Sequence, residues 1–372
     1  MDKNRRKNEK KIICAMSGGL DSSVAAALLK RAGFNVIGVF MKFWSEPGNN
    51  LIERENSCCS FEAEVRARKV AKILKIPFFV FNFEKEFKKK VVDDFLKESK
   101  LGKTPNPCVV CNKEIKLGLL LKKALSLGVN FVATGHYARK KEIRKSFCLN
   151  SCRLAILKAK DKEKDQSYFL WQLNQKQLKH ILFPIGDYTR KEVEDLARKF
   201  KLPVLKAKKS VEICFVQKTI SDFLKKYLKE KPGKIIDREG KFLGEHKGLW
   251  FYTIGQRKGI NLPGGPYYVL EKDLKRNILI VTKNKKDLLK KELICKNVNW
   301  ISGKEPRLPL KILAKIRYRQ PSFSAFINKN KKFKFYNLKF IRSQRAITPG
   351  QSVVFYSHLF KDEVLGGGVI IN

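Results

Sequence analysis

Residues 11–31 read KIICAMSGGLDSSVAAALLKR. Lys11–Met16 is a short apolar run of strand length, and Ser22–Arg31 places Val24, Ala27 and Leu28 at helical spacing. Between them stands Ser17-Gly18-Gly19-Leu20-Asp21-Ser22-Ser23. Two glycines let the backbone turn tightly and aim its N–H groups at one point. The helix start that follows adds partial positive charge, and the serine hydroxyls add donors. Strand, loop and helix together make a phosphate cradle. A bare Ser-Gly-Gly turn reads as a capped turn without ligand; the full motif behind a buried strand favours phosphate. No Lys-Ser/Thr closes the loop, so it is not a Walker A sequence. Leu101-Gly102-Lys103-Thr104 imitates that ending, but Lys97 stands where the first glycine belongs.

The same alternation continues outward. Asn35–Phe43, Pro77–Phe83 and Val129–Thr134 read as strands, and Phe61–Leu74, Glu84–Lys97 and Lys113–Leu127 as helices. This predicts an α/β unit, a doubly wound, Rossmann-like parallel sheet with helices on both faces. Such sheets bind ligands beyond the C-terminal ends of their strands. Met41 and Thr134-Gly135-His136 would then face the crevice that holds the cradle. Thr189 and Glu192 form a capping box ahead of a stripe of Val193, Leu196, Ala197 and Phe200. After about Val216 the segments shorten and turn residues multiply, which marks a small middle unit. From about Lys291 the reading is strands: Lys311–Arg319, Ser324–Asn328, Lys332–Tyr336, Gln351–Tyr356 and Val364–Ile371, with a hairpin tip at Asn328–Lys331. Short strands at this spacing predict a C-terminal β-barrel. The expected units are 1–217, 218–290 and 291–372.

Composition bounds the function. The 372 residues carry 80 Lys+Arg against 35 Asp+Glu, a net charge of +45. That excess favours a polyanionic partner, although part of the lysine surplus is codon bias. No apolar run approaches the ~20 residues of a membrane span, and Met1–Lys10 is polar and basic, unlike a signal peptide. A cytoplasmic protein with no membrane partner is expected. Nine cysteines then read as thiols in a reducing compartment, open to catalysis or metal binding.

Two cysteine segments carry chemistry. In Thr104-Pro105-Asn106-Pro107-Cys108-Val109-Val110-Cys111-Asn112 two prolines stiffen the approach to a helix. Cys111 would sit near its N-terminus, where the dipole favours thiolate. Spacing alone leaves open a zinc half-site, with Cys148 and Cys152 as the other half. In Ser210-Val211-Glu212-Ile213-Cys214-Phe215 the lone cysteine between apolar neighbours reads by itself as core.

The cradle resembles the PP-loop of the ATP pyrophosphatases, which split ATP between the α and β phosphates. Further segments follow in order: Lys164-Asp165-Gln166-Ser167-Tyr168-Phe169-Leu170, Gly244-Glu245-His246-Lys247-Gly248, Thr253-Ile254-Gly255-Gln256-Arg257-Lys258-Gly259, Arg317-Tyr318-Arg319-Gln320, Thr348-Pro349-Gly350-Gln351 and Leu365-Gly366-Gly367-Gly368. With the PP-loop and the two-cysteine segment, the series is similar to the tRNA-specific 2-thiouridylases from about Lys11 to Ile371. The resemblance implies that ATP, with Mg2+, adenylates the C2 oxygen of a tRNA wobble uridine. Sulfur carried by a cysteine then displaces AMP. It implies ATP contacts at Ala15, Met16, Ser17, Gly18, Gly19, Leu20, Asp21, Ser22, Met41 and Gly135. Asn106, Pro107 and Cys108 would flank the target base, Cys111 would be the catalytic cysteine, and Cys214 would receive a persulfide. Lys164, Asp165, Gln166, Arg317, Tyr318, His136 and Gln351 would meet tRNA. For Arg317–Arg319 the residues alone favour a solvated strand face. A persulfide or sulfide donor protein is the implied second partner.

One position departs from the pattern. Many members have Asp, the implied general acid/base, where Cys108 stands. A thiol of ordinary pKa near ~8.5 suits that task poorly at neutral pH. Cys108, Cys111 and Cys214 together supply the three thiolates that a 4Fe–4S cluster would need, so a cluster scheme stands beside the persulfide scheme. Two readings of other kinds stand against these. A PP-loop synthetase acting on a small molecule leaves the placed cysteines unexplained. A non-catalytic zinc and RNA-binding protein leaves the cradle idle.

Overall fold

The structure, a computed structural model, describes residues 10–46, 60–144, 152–205, 213–330 and 332–372. Cys58, Cys59, Cys148 and Ser210–Glu212 lie outside the described residues.

The first sheet has five parallel strands: β1 (Lys11–Ala15), β2 (Asn35–Lys42), β3 (Phe78–Asn82), β4 (Phe131–Ala133) and, from later in the chain, Ile181–Leu182. Their order is β3-β2-β1-β4 and then Ile181–Leu182, with Ile13 opposite Ile37 on one side and Val132 on the other. The chain builds one way from β1 and later returns to its other side at β4. The gap beyond the C-terminal ends of β1 and β4 is therefore the switch point of the sheet, the place where such folds bind ligands.

Both faces are covered, as the alternating pattern predicts. On one face lie α1 (Leu20–Arg31), α2 (Phe61–Ile73) and the later helix Arg190–Lys199. Val24, Ala25, Ala67 and Val70 pack there with Ile12 and Cys14 of β1. On the other face run α3 (Glu84–Phe87), α4 (Asp93–Lys100), α5 (Pro107–Cys111) and α6 (Leu120–Ser126), joined by wide turns at Lys88–Val92 and Asn112–Leu119. Ile13, Val39, Phe87, Phe95 and Ile115 fill that side. Four of the five β1 residues are buried, and an aliphatic side chain there contributes about 1.5–3 kcal/mol by its burial. The capping box at Thr189 and Glu192 is present, and Val193 and Ala197 are buried as expected.

The next two strands leave this sheet. β5 (Ala138–Arg144) and β6 (Cys152–Lys158) form an antiparallel hairpin that joins a different sheet. β7 is the Ile181–Leu182 strand, preceded by α7 (Gln175–Leu178) and followed by α8 (Arg190–Lys199). A four-stranded middle sheet follows α9 (Ile220–Tyr227): β8 (Gly233–Ile236), β9 (Phe242–His246), β10 (Tyr268–Asp273) and β11 (Ile278–Thr282). The last unit contains β12 (Leu289–Trp300), β13 (Leu310–Lys315), β14 (Phe323–Lys329), β15 (Tyr336–Arg345), β16 (Ser352–Ser357) and β17 (Glu363–Ile370). Because β12 pairs with both β15 and β17, these six strands close into a barrel.

Two strand readings change. Lys332–Tyr336 is not a strand; after Asn330 the chain bends, and β15 starts at Tyr336 and runs to Arg345. Its exposed face carries Lys339, Ile341 and Arg342, which hid the alternation. β12 is long and mostly charged outside, with only Leu293, Cys295 and Trp300 fully inside. β17 divides its length. Gly366–Ile370 pairs with β12, while Glu363 and Val364 pair with Leu157 and Ile156 of β6. The hairpin from the first unit thus extends the barrel wall.

Candidate active site

Helix α1 begins at Leu20, two residues before the predicted Ser22, with Gly19 at its N-cap and no side-chain cap. Its first-turn N–H groups are left for a ligand. Hydroxyls shape the loop. Ser22 Oγ accepts from Ser17 N at 3.1 Å, lies 3.2 Å from Ser17 Oγ, and donates to the Gly19 carbonyl at 3.2 Å. Ser23 Oγ donates to the same carbonyl at 2.8 Å. Arg66 Nε of α2 donates to the Gly18 carbonyl at 3.2 Å.

Asp21 points into a small network. Its Oδ1 accepts from Tyr137 Oη at 2.9 Å and from Arg190 Nη1 at 3.0 Å. Burial raises the Asp21 carboxyl above its ordinary value, against the pull of Arg190, Tyr137 and Lys164. Tyr137 is itself fixed by Gln166, whose Oε1 accepts from Tyr137 N at 3.0 Å and whose N–H donates to Tyr137 O at 2.8 Å. Lys164-Asp165-Gln166 is therefore wired to the phosphate loop.

The loop after β4 closes the other wall. A Cβ added at Gly135 would lie 2.6 Å from Ser22 N, so only glycine lets this loop approach the α1 start. His136 Nδ1 is 2.7 Å from Thr134 Oγ1. Burial, and secondarily the charge on Lys116, pushes the imidazole down to about 3. It is neutral at any ordinary pH.

Helix α5 starts at Pro107, six residues earlier than the predicted Lys113. Asn106 caps it by accepting from Val109 N, and Pro107 takes the first turn, where its missing N–H costs nothing. Cys108 is half-buried and Cys111 buried. Cys111 belongs to the apolar cluster that contains Ala15, and Met41 and Cys214 pack against that same cluster. Ala15 of β1, Met41 of β2 and two of the three cysteines thus share one apolar core. Cys108 faces differently. It lies on the side of Tyr318, whose phenol is raised by burial and then by Asp165.

Among the described residues no group of three His, Cys, Asp or Glu is arranged to hold a metal ion. Cys148, which the zinc pairing with Cys152 needs, lies outside the described residues.

The residues implied to meet tRNA mostly have work inside the chain. Asp165 is buried and accepts from Ala159 N at 3.0 Å, Ser167 N at 3.2 Å and Ser167 Oγ at 2.9 Å. Arg317 Nη2 donates to Ile254 O at 3.1 Å, Ala346 O at 3.0 Å and Thr348 Oγ1 at 2.8 Å. It is not on the solvated strand face that its neighbours suggested. The Tyr318 ring packs on Phe169 with centroids 4.4 Å apart. Gln351 Nε2 donates to Thr104 O at 2.7 Å. Arg66, Tyr137 and Arg190 were not anticipated. Arg66 and Arg190 lie 48 and 169 residues from their partners in the loop, and no local pattern marks them. Tyr137 directly follows Gly135-His136, which was the one available signal.

A family model described as tRNA methyl transferase HUP domain matches residues 10–218. The models for the tRNA methyl transferase PRC-barrel domain and the Aminomethyltransferase beta-barrel domain match residues 221–283 and 290–370. The tRNA-specific 2-thiouridylase MnmA 2 of Thermoanaerobacter sp. (strain X514) is 46% identical over 364 residues, 97% of each chain. The chain belongs to the tRNA-specific 2-thiouridylase family. Another 2-thiouridylase, MnmA of Clostridium perfringens (strain 13 / Type A), is 43% identical over 371 residues, 97% of this chain and 98% of its own. A solved 4-thiouridine synthetase–RNA complex with bound ATP is also similar, at TM-score 0.33 and 16% identity over 58% of this chain and 49% of that one, too low to carry an argument. Membership in the 2-thiouridylase family agrees with the PP-loop, the two-cysteine helix and the barrel. No helix among the described residues is long and apolar enough to cross a membrane.

Proposed function

We propose that this protein replaces the C2 oxygen of a tRNA wobble uridine with sulfur, consuming ATP. The observation that supports the reading is that Ala15, Met41, Cys111 and Cys214 all belong to or pack against one apolar core on the same face of the sheet.

ATP lies against Ala15–Ser22, Met41 and Gly135, its pyrophosphate on the α1 start. Asp21 and the Ser17 and Ser22 hydroxyls suit a magnesium ion bound with the phosphates, which would neutralise their charge. The uridine leaves its stack to reach this crevice. Asn106, Pro107 and Cys108 hold it while its C2 oxygen attacks the α-phosphorus. The bond from that phosphorus to the bridging oxygen breaks, and pyrophosphate leaves. The terminal sulfur of a Cys214 persulfide then attacks C2, and AMP departs with the C2–O electron pair. The Cys111 thiolate attacks Cys214 Sγ, and the sulfur–sulfur bond breaks with its electrons moving to the sulfur on C2. The products are 2-thiouridine and a Cys111–Cys214 disulfide, which an external thiol reduces.

Basic surface on the proposed units 1–217, 218–290 and 291–372 holds the tRNA by phosphate contacts. Lys164, His136, Tyr318 and Gln351 are the residues proposed to meet tRNA, whereas Asp165, Gln166 and Arg317 make bonds inside the chain. A persulfide-bearing donor protein reloads Cys214 in the cytoplasm. The test is ATP-dependent transfer of labelled sulfur into tRNA, with pyrophosphate and AMP as products. Stoichiometric ADP and orthophosphate, or no labelled tRNA with any donor, would reject the proposal.

A further inference from the structure

The middle sheet carries none of the groups in that chemistry, yet it grips the loop that leads to the cysteine helix. Loop 101–106 joins α4 to α5. Lys272 Nζ of β10 donates to the Gly102 carbonyl at 2.9 Å. Gly102 sits on the neighbouring Leu274, whose Cδ2 would be 2.3 Å from an added Cβ. Thr104 Oγ1 is 3.3 Å from Thr253 Oγ1 of the same unit. From the barrel side Thr104 N donates to Pro349 O at 2.9 Å, and Thr104 O accepts from Gln351 at 2.7 Å. The loop is held between two jaws. Arg317 staples the jaws together, bonding Ile254 of the middle unit and Ala346 and Thr348 of the barrel through one nitrogen.

We infer that the middle unit is a clamp that sets the position of the cysteine helix, with Lys272 as its positioning residue; the inference rests on the proposed thiolation. Only Pro105 and Asn106 separate Thr104 from Pro107. Two prolines with fixed φ and an Asn that caps α5 leave little slack. A shift of Thr104 therefore carries Cys108 and Cys111 with it. Lys272 is placed for this task rather than for phosphate. Burial pushes its ammonium down to about 8, and an ammonium meant for RNA would stay in water. A methionine would fill the same space without that desolvation cost but could not hold the Gly102 carbonyl.

The test compares Lys272→Met and Lys272→Arg with the parent protein in single-turnover thiolation of tRNA. The parent must thiolate first; its failure would reject the proposed function and not the clamp. Lys272→Met is expected to lower the thiolation rate constant by about 10- to 100-fold, the usual effect of misplacing reacting groups by about 1 Å. The KM for ATP and the salt dependence of tRNA binding should stay at parental values, and Lys272→Arg should restore most of the rate. Thr253→Val, a milder change on the same loop, should lower the rate in the same direction and covers the case of a Lys272→Met protein that does not fold. Parental rates in both Lys272→Met and Thr253→Val would overturn the clamp. So would a Lys272→Met protein whose tRNA binding loses about 0.7–0.9 of its log–log salt slope, the signature of a lost phosphate contact.

Discussion

His136 offers a quantitative check on the site. The imidazole is buried and its pKa falls from 6.5 to about 3. The folded chain therefore keeps His136 neutral where the unfolded chain binds a proton. Its contribution to stability is fully present above pH 6.5 and is lost as the pH falls from 6.5 towards 3. Linkage gives a cost of about 0.2 kcal/mol at pH 7 and about 2 kcal/mol at pH 5. The pH 5 figure barely depends on the folded value, so long as that value stays below about 4. His136→Gln removes the titrating ring and keeps a polar group near Thr134. Between pH 7 and pH 5 the variant should lose about 1.9 kcal/mol less stability than the parent. Urea unfolding followed by tryptophan fluorescence at both pH values gives the comparison, and the change within each protein cancels any constant packing penalty. With only four histidines in the chain, imidazole proton NMR can follow His136 directly. Equal pH dependence in the two proteins, or a His136 ring titrating near 6.5, would refute the reasoning.

Three further outcomes are expected. Gly135→Ala pushes a Cβ to within 2.6 Å of Ser22 N, so pyrophosphate release should fall by about 10-fold or more while Cys111 alkylation is unchanged; parental pyrophosphate release would contradict the close approach. Tyr137→Phe removes the 2.9 Å bond to Asp21 and should slow pyrophosphate release by about 10- to 150-fold, roughly the worth of one hydrogen bond to a charged group; isothermal titration should show ATP affinity moving the same way. Cys111→Ser and Cys214→Ser should each stop sulfur transfer yet leave ATP-dependent AMP–tRNA formation within a few-fold of the parent, read as labelled adenylate trapped on tRNA, because the phosphate loop belongs to a separate turn after β1.

Local chemistry made the strand–loop–helix turn legible. Ser17–Ser23 combines a buried strand, two glycines and a helix start within a few residues, so its reading needs no distant partner. The Thr189–Glu192 cap was legible for the same reason. What escaped the sequence depends on pairings between remote residues. Glu363 meets Leu157 across more than half the chain, and nothing in either strand names the other. β12 hides its barrel face among Lys290, Lys291, Glu292 and Lys296. Arg317 shows the opposite error. A guanidinium among arginines reads as surface, but three oxygens from two units surround it. A charged residue's place follows from where its acceptors fold, and composition does not record that.

The hairpin β5–β6 lies in the first unit by sequence and in the barrel wall by hydrogen bonding. That arrangement makes the protein poor material for recombination. A gene fragment ending before β12 would encode a ribbon whose β6 edge has lost Glu363 and Val364, and an unpaired edge invites pairing with a neighbouring molecule. A barrel expressed alone would leave the start of β17 equally bare. Arg139 and Lys162 would lose their shared anchor at Asp362 as well. Exchange of the C-terminal unit with that of a relative should succeed only when the crossover carries the hairpin along, so that the segment inherited as one piece is the sheet and not the stretch of sequence.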